Sequence, residues 1–191
     1  GQTLNERSKM TDTGTPPEGT NAASRGFPDG LPERSGERPR TSDRMPHEQL
    51  SLNAPPELQE RLRERVLAMP EVVSGASGVS VPGARAFFLD HQNSDAPKMM
   101  SGEFAHIHPP YDGSLHAMLP RDVAEKVVEK GWGELHPYSR GGRDSWANVL
   151  IFGPRDEAEL ETVYRIVRAS HDYVQGNAQD VEPGNDKETT E

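Results

Sequence analysis

Apolar positions recur with a readable period only between about residues 53 and 176 of this chain. Pro55 and Pro56 are followed by Leu58, Leu62, Val66 and Met69 on one stripe, which predicts a helix that Pro70 ends. Residues 72–73, 79–81 and 84–89 are short runs rich in valine and phenylalanine, broken by Gly75, Gly78 and the Pro82-Gly83 pair, and they predict strands. Residues 103–108 and 114–119 predict two strands of a hairpin around a Tyr111-Asp112-Gly113 turn. Pro120 opens a second helix with Val123, Val127 and Val128 inward, and Gly131 stops it. Residues 132–138 and 146–152 predict two more strands, separated by a glycine-rich loop. In the last helix Asp156 and Glu159 have the spacing of a capping box. Leu160, Val163, Tyr164, Val167, His171 and Val174 then follow at helical spacing, and Gly176 provides a C-terminal stop. This order predicts an α+β domain, a mostly antiparallel sheet backed by about three helices.

Outside that window the pattern is lost. Residues 1–52 are polar and near neutral, and Leu4, Phe27, Leu31 and Met45 stand alone among Ser, Thr, Gly, Pro, Glu and Arg. Isolated apolar residues do not offset the entropy of ordering a backbone, so 1–52 is expected to be a disordered polar tail and 177–191 an acidic one. The composition agrees: 32% of the 191 residues are hydrophobic, about 41% once the 18 glycines are counted, against about 45–50% on that count for a globular chain. The absence of cysteine excludes disulfides, thiolate metal sites and a cysteine nucleophile. No run approaches the roughly 18 apolar residues of a membrane span, and a net charge of -10 argues against a nucleic-acid partner. The expectation is a cytoplasmic protein without membrane or nucleic-acid partners, its oligomeric state left open.

The candidate chemistry lies in the histidines. His106 and His108 are two apart on one predicted strand and leave the same face. His116 is on the next strand, where the turn brings it alongside, and His136 comes from the strand after the middle helix. Such a group has two uses. Three neutral imidazoles can hold a divalent metal with an open position, or an imidazole can act as general base near neutral pH. His171, on the apolar face of the last helix, reads as a packing residue. His47 and His91 have no evident partner. Glu103 is placed to orient a histidine or pair with an arginine, and Trp132, between Gly131 and Gly133, either packs in the core or walls a pocket for a planar ligand.

Five blocks in order carry a family resemblance. They are Glu103-Phe104-Ala105-His106-Ile107-His108, Ser114-Leu115-His116, Lys130-Gly131-Trp132-Gly133-Glu134-Leu135-His136-Pro137, Gly153-Pro154-Arg155-Asp156-Glu157 and Arg168-Ala169-Ser170. Together they resemble the luciferase-like domain family, typified by the luciferase of luminous fungi and including bacterial members, which residues 57–90 resemble as well. The resemblance implies a reaction of O2 with an enolic or hydroxypyrone-type small molecule, without metal or organic cofactor. A base removes the enol proton, the enolate reacts with oxygen, and a peroxide intermediate loses CO2. His106, His108, His116 and His136 match family positions and are the expected catalytic residues, with Trp132 and Glu103 as substrate-binding residues. The polar start departs from the membrane-anchoring segment of the fungal members. The expected function is therefore a cofactor-independent oxygenase of bacterial type. The alternatives are a non-catalytic small-molecule-binding domain of the same fold and a metalloenzyme with a His-bound divalent metal.

Overall fold

A computed structural model describes residues 27–90, 98–99 and 101–176. Its elements run α1 (Pro56–Leu67), β1 (Val72–Ala76), β2 (Arg85–Leu89), β3 (Ala105–Ile107), β4 (Leu115–Pro120), α2 (Arg121–Glu129), β5 (Gly133–Leu135), β6 (Trp146–Ile151) and α3 (Glu157–Val174). The six strands form one antiparallel sheet in the order β1-β2-β3-β4-β6-β5. The α+β architecture with three helices follows the periodicity. One predicted strand is absent: residues 79–81 form a loop, which leaves their backbone outside the ladder.

The alternation of side chains along each strand gives the sheet two unlike faces. Phe87, Leu89, Ala105, Ile107, Leu115, Ala117, Leu119, Ala147, Val149 and Ile151 share one core with Leu58, Leu62 and Val66 of α1, Val123 and Val127 of α2, and Leu160, Val163 and Val167 of α3. All three helices therefore bury the same face. The intervening residues of β3, β4 and β6 look the other way. Asp156 caps α3 by accepting the Glu159 N–H at 2.8 Å, as the sequence predicts. The return bond is displaced by one residue: Glu159 accepts the N–H of Arg155 at 2.8 Å, together with the Arg155 guanidinium.

Residues 27–52 correct the expectation of a tail. Their apolar side chains build no core of their own: Leu31 and Phe27 pack against the core of the domain, whereas Met45, Leu50 and Leu52 stay exposed. Leu31 is buried in the helix-side core, and the Pro32 carbonyl accepts the Trp132 indole N–H at 2.6 Å. The segment then turns back on itself, Thr41 bridging Gln49, and carries His47 and Gln49 into buried positions. Gln49 accepts the Gly153 N–H, and its own N–H donates to Asp112. Residues 1–26 and 177–191 lie outside the described residues.

Gly133 lets the sheet close beside the site. A Cβ there would sit 2.1 Å from the Leu150 carbonyl oxygen, a backbone atom that cannot swing aside. Gly133→Ala is expected to destabilise the chain by roughly 1–3 kcal/mol, the range of overpacking substitutions. Urea denaturation checks this; an unchanged midpoint would show that β5 and β6 separate at no cost.

Candidate functional site

On the face turned away from the helices, cross-strand register gathers the polar residues. His106 of β3 stands opposite His116 of β4, His116 opposite Leu150 of β6, and Leu150 opposite Glu134 of β5. Facing residues of neighbouring strands project to the same side. Just beyond β3, the His108 N–H donates to the Ser114 carbonyl at 2.8 Å, which keeps its ring on the His106 side. His136 follows β5 and donates its N–H to the Asn148 carbonyl at 2.8 Å. Between the β3 and β4 pairs, the chain turns at residues 109–113. Gly113 has φ +76° there, and a Cβ would meet Gln59 at 2.3 Å, so the turn requires glycine.

The imidazoles are buried and joined ring to ring. His106 Nε2 lies 3.2 Å from His116 Nδ1, and His108 Nε2 lies 3.2 Å from the same atom. His116 Nε2 is 2.9 Å from Nδ1 of His47. Each outer ring is held from behind by an acceptor. His106 donates Nδ1–H to Glu103 at 2.8 Å, and His47 donates Nε2–H to Glu134 at 2.6 Å. His108 donates Nδ1–H to Ser114 Oγ at 2.9 Å, with Asp112 at 3.1 Å, and the Ser114 hydroxyl in turn donates a hydrogen bond to Asp112 at 2.6 Å. His136 differs: its Nδ1 accepts the Tyr138 N–H at 3.1 Å, leaving Nε2 as its N–H donor.

A cavity of about 910 Å³ opens over this face, with His106, His108, His116 and His136 in its wall. Apolar surface comes from Val79, Val81, Met118 and Trp146, and from Met45 beside His47. The pairing of mostly apolar walls with a few convergent polar groups is the usual form of a small-molecule site.

The surroundings set the charges. Burial holds His116 well below the usual imidazole value, and the neighbouring histidines lower it further. Burial also lowers His106, against the pull of Glu103. His136 falls to about 4 through burial and the charges of His47, His106 and Arg140. For Glu103 and Asp112 burial acts upward, but the bonds from His106, Ser101 and Ser77, and from His108 and Ser114, outweigh it and keep both carboxyls low. Glu134 drops to about 2, where hydrogen bonds from His47, Thr41 and Arg38 overcome burial. His106, His116 and His136 are thus held neutral, and the carboxylates beside the cluster ionised.

The structure brings His106, His108, His116 and His136 together, as the strand pattern predicts. Two other expectations need correction. Trp132 does not wall the cavity: it packs in the helix-side core with its N–H taken by Pro32, and the indole that lines the cavity is Trp146. Glu103 is fully buried, and its oxygens accept from His106, Ser77, Ser101 and the Gly78 N–H. It therefore orients His106 rather than meeting a ligand. His171 donates Nε2–H to the Pro70 carbonyl at 2.8 Å and packs against Phe104, away from the cavity. His91 lies outside the described residues. Sequence reasoning missed His47, Asp112, Ser114 and Glu134. Asp112 was visible only as a turn residue, and His47 had no periodic signal around it.

Comparison with known proteins follows the same residues. Residues 101–170 match the family described as Luciferase domain. The chain is 31% identical over 172 residues to a luciferase of Armillaria mellea and to one of Armillaria gallica, in each case covering 78% of this chain and 63% of the relative. It is 32% identical over 90 residues to a luciferase of Neonothopanus nambi, covering 45% of this chain and 33% of that protein. The chain thus spans somewhat under two thirds of the Armillaria relatives' length. No solved structure matches. Among the described residues, no helix is long and apolar enough to cross a membrane.

These shifts predict a pH dependence. The unfolded chain protonates a histidine near 6.5, whereas folded His136 does so only near 4, so the unfolded state binds more protons between those values. The stability that neutral His136 contributes is complete above 6.5 and is lost as pH falls towards 4. In chelator, the urea midpoint is expected to fall across this window, and His136→Gln to flatten the fall. Equal slopes in both proteins would contradict the assignment.

Proposed function

Because the chain carries a luciferase-like domain, we propose that it is an oxygenase that brings O2 to an enolic or hydroxypyrone-type small molecule bound over the histidine cluster. The observation that carries this reading is the cluster's position in the cavity wall, where His106, His108 and His116 turn their shared nitrogens towards one another and His136 presents an N–H. All four lie within the family-matched stretch.

An enol reacts with O2 once it has lost its proton, because the enolate is the electron-rich form. The face formed by His106, His108 and His116 offers electron pairs rather than N–H groups, so it takes up the enol proton, and the imidazolium formed there stands beside the enolate. His136 has its lone pair occupied by the Tyr138 N–H, so it acts as a neutral donor to the enolate oxygen. The enolate carbon then supplies two electrons to O2, a C–O bond forms, and the oxygen is left at the peroxide level. The apolar walls exclude water from that intermediate. Glu103 and Asp112 act as positioning residues, fixing the tautomers of His106 and His108.

Oxygen uptake by the purified chain, across a panel of 3-hydroxy-2-pyrones and related enols, tests this. Uptake above the no-enzyme rate is expected, lost in His106→Ala and reduced roughly 100-fold in kcat by His136→Phe, the scale of one lost oxyanion donor. Trp132→Phe is expected to leave KM unchanged, since that ring lies in the core. Saturable pyrone binding with no uptake would replace the oxygenase with a binding domain.

A further inference from the structure

We infer that His106, His108 and His116 hold a divalent transition-metal ion, bound by Nε2 of the first two and Nδ1 of the third, with an open coordination position towards the cavity. The inference rests on the geometry of the rings and of the carboxylates behind them and deepens the proposed site: an ion held there would occupy the lone pairs assigned above to the enol proton and would itself stabilise the enolate as a Lewis acid. It departs from the cofactor independence that the family resemblance implies.

The argument is a count of protons. A carboxylate accepts only, so His47, His106 and His108, bonded to Glu134, Glu103 and the Asp112–Ser114 pair, each carry their proton on the outward nitrogen. With one proton apiece, each turns a bare nitrogen towards His116. Neutral His116 has one proton for its two nitrogens. If that proton sits on Nε2, it fills the 2.9 Å contact with His47 Nδ1, a normal hydrogen-bond length. Nothing is then left for the other side, where three lone pairs meet with Nδ1 of His116 3.2 Å from each neighbour. If the proton moves to Nδ1, the His47 contact loses it instead. Lone pairs at that range repel unless a cation lies between them.

The dimensions suit an ion. Three imidazole nitrogens ~2.0–2.1 Å from a tetrahedral ion stand ~3.3 Å apart. Two of the three separations here are 3.2 Å, and all three ligand atoms lie within 4.8 Å of one another. With the ion in place every ring nitrogen of His47, His106, His108 and His116 has a partner. Behind each ligand stands a carboxylate: Glu103 behind His106, Asp112 behind His108, and Glu134 behind His116 by way of His47. Carboxylates in this position fix the tautomer and raise ligand basicity. Charge agrees as well. Glu103 and Asp112 are fully buried and, among the described residues, have no Lys or Arg partner, whereas Glu134 has Arg38 and Arg140. A dication offsets the two that lack one. A second trio, His47, His116 and His136, is less suited, because its 2.9 Å contact holds a proton and His136 Nδ1 is already used. Imidazole ligation suits Zn, Fe, Co and Ni more than Mg or Ca.

The test uses the full chain, purified without a histidine tag, stripped with chelator and titrated with Co2+ by visible absorption and with Zn2+ by calorimetry. One ion per chain is expected, with Co2+ giving the bands of a low-coordinate site and Zn2+ displacing it. His108→Gln is expected to abolish binding and His136→Gln to leave it intact. Glu103→Gln, which keeps all three ligands, is expected to weaken affinity roughly 10–100-fold and serves if His108→Gln does not fold. No saturable uptake by the wild-type chain would overturn the site and leave an extra proton on a carboxylate-backed ring, His106 or His108, as the cation. Loss in His136→Gln with retention in His108→Gln would overturn it in favour of the other trio. Neither readout uses turnover, so a chain that binds Co2+ but consumes no oxygen would sink the oxygenase and keep the ion.

Discussion

The pairing of β3 with β4 is the constraint on which the rest of this molecule depends. Only with His106 opposite His116 do the two rings share a face. A slip of one residue would send His106 into the helix-side core and Ala105 or Ile107 into the cavity wall. The turn at 109–113 fixes that register. It also supplies Asp112 and leads directly into Ser114, and the two hold His108 from behind. One short connection thus sets both where the imidazoles stand and how they are protonated.

A second constraint comes from burial. Five imidazoles and three carboxylates are almost fully withdrawn from water, and each unpaired polar group in such a place costs free energy comparable to a lost hydrogen bond. The chain meets this by linking the groups in series, carboxylate to outer ring to His116. Removal of any member leaves its neighbour without a partner, so the network behaves as a unit and not as a sum of contacts.

Much of this was legible in the sequence, for reasons that also explain what was not. Leu58, Leu62 and Val66, or Leu160, Val163 and Val167, repeat at helical spacing because each helix buries a continuous stripe. The His106–His116 face was legible because strand alternation is strictly local. His47 is different: it reaches His116 across 69 positions, from a segment that has no period because it packs by single insertions and not by a repeating face. Glu134 lay in a quoted motif, but a carboxylate on a strand reveals its partner only once β5 and β6 are paired. Trp132 misled for a related reason. Its flanking glycines do permit close backbone approach, as Gly133 shows against Leu150, but proximity of backbones does not say which face receives the ring.

The two unlike faces of the sheet divide the ways in which this sequence can change over time. Point substitutions at Met118, Trp146 or Val81 would reshape the cavity without touching a residue that the helices cover, so new ligand preferences are open to the lineage at small cost in folding. Insertions and deletions within a strand have no such freedom. Each one of odd length exchanges the two faces downstream of it within the strand, exposing the oily side and interring the reactive one at a stroke. Diversification among such proteins should therefore run through spelling rather than length inside the strands, and leave changes of length to the loops.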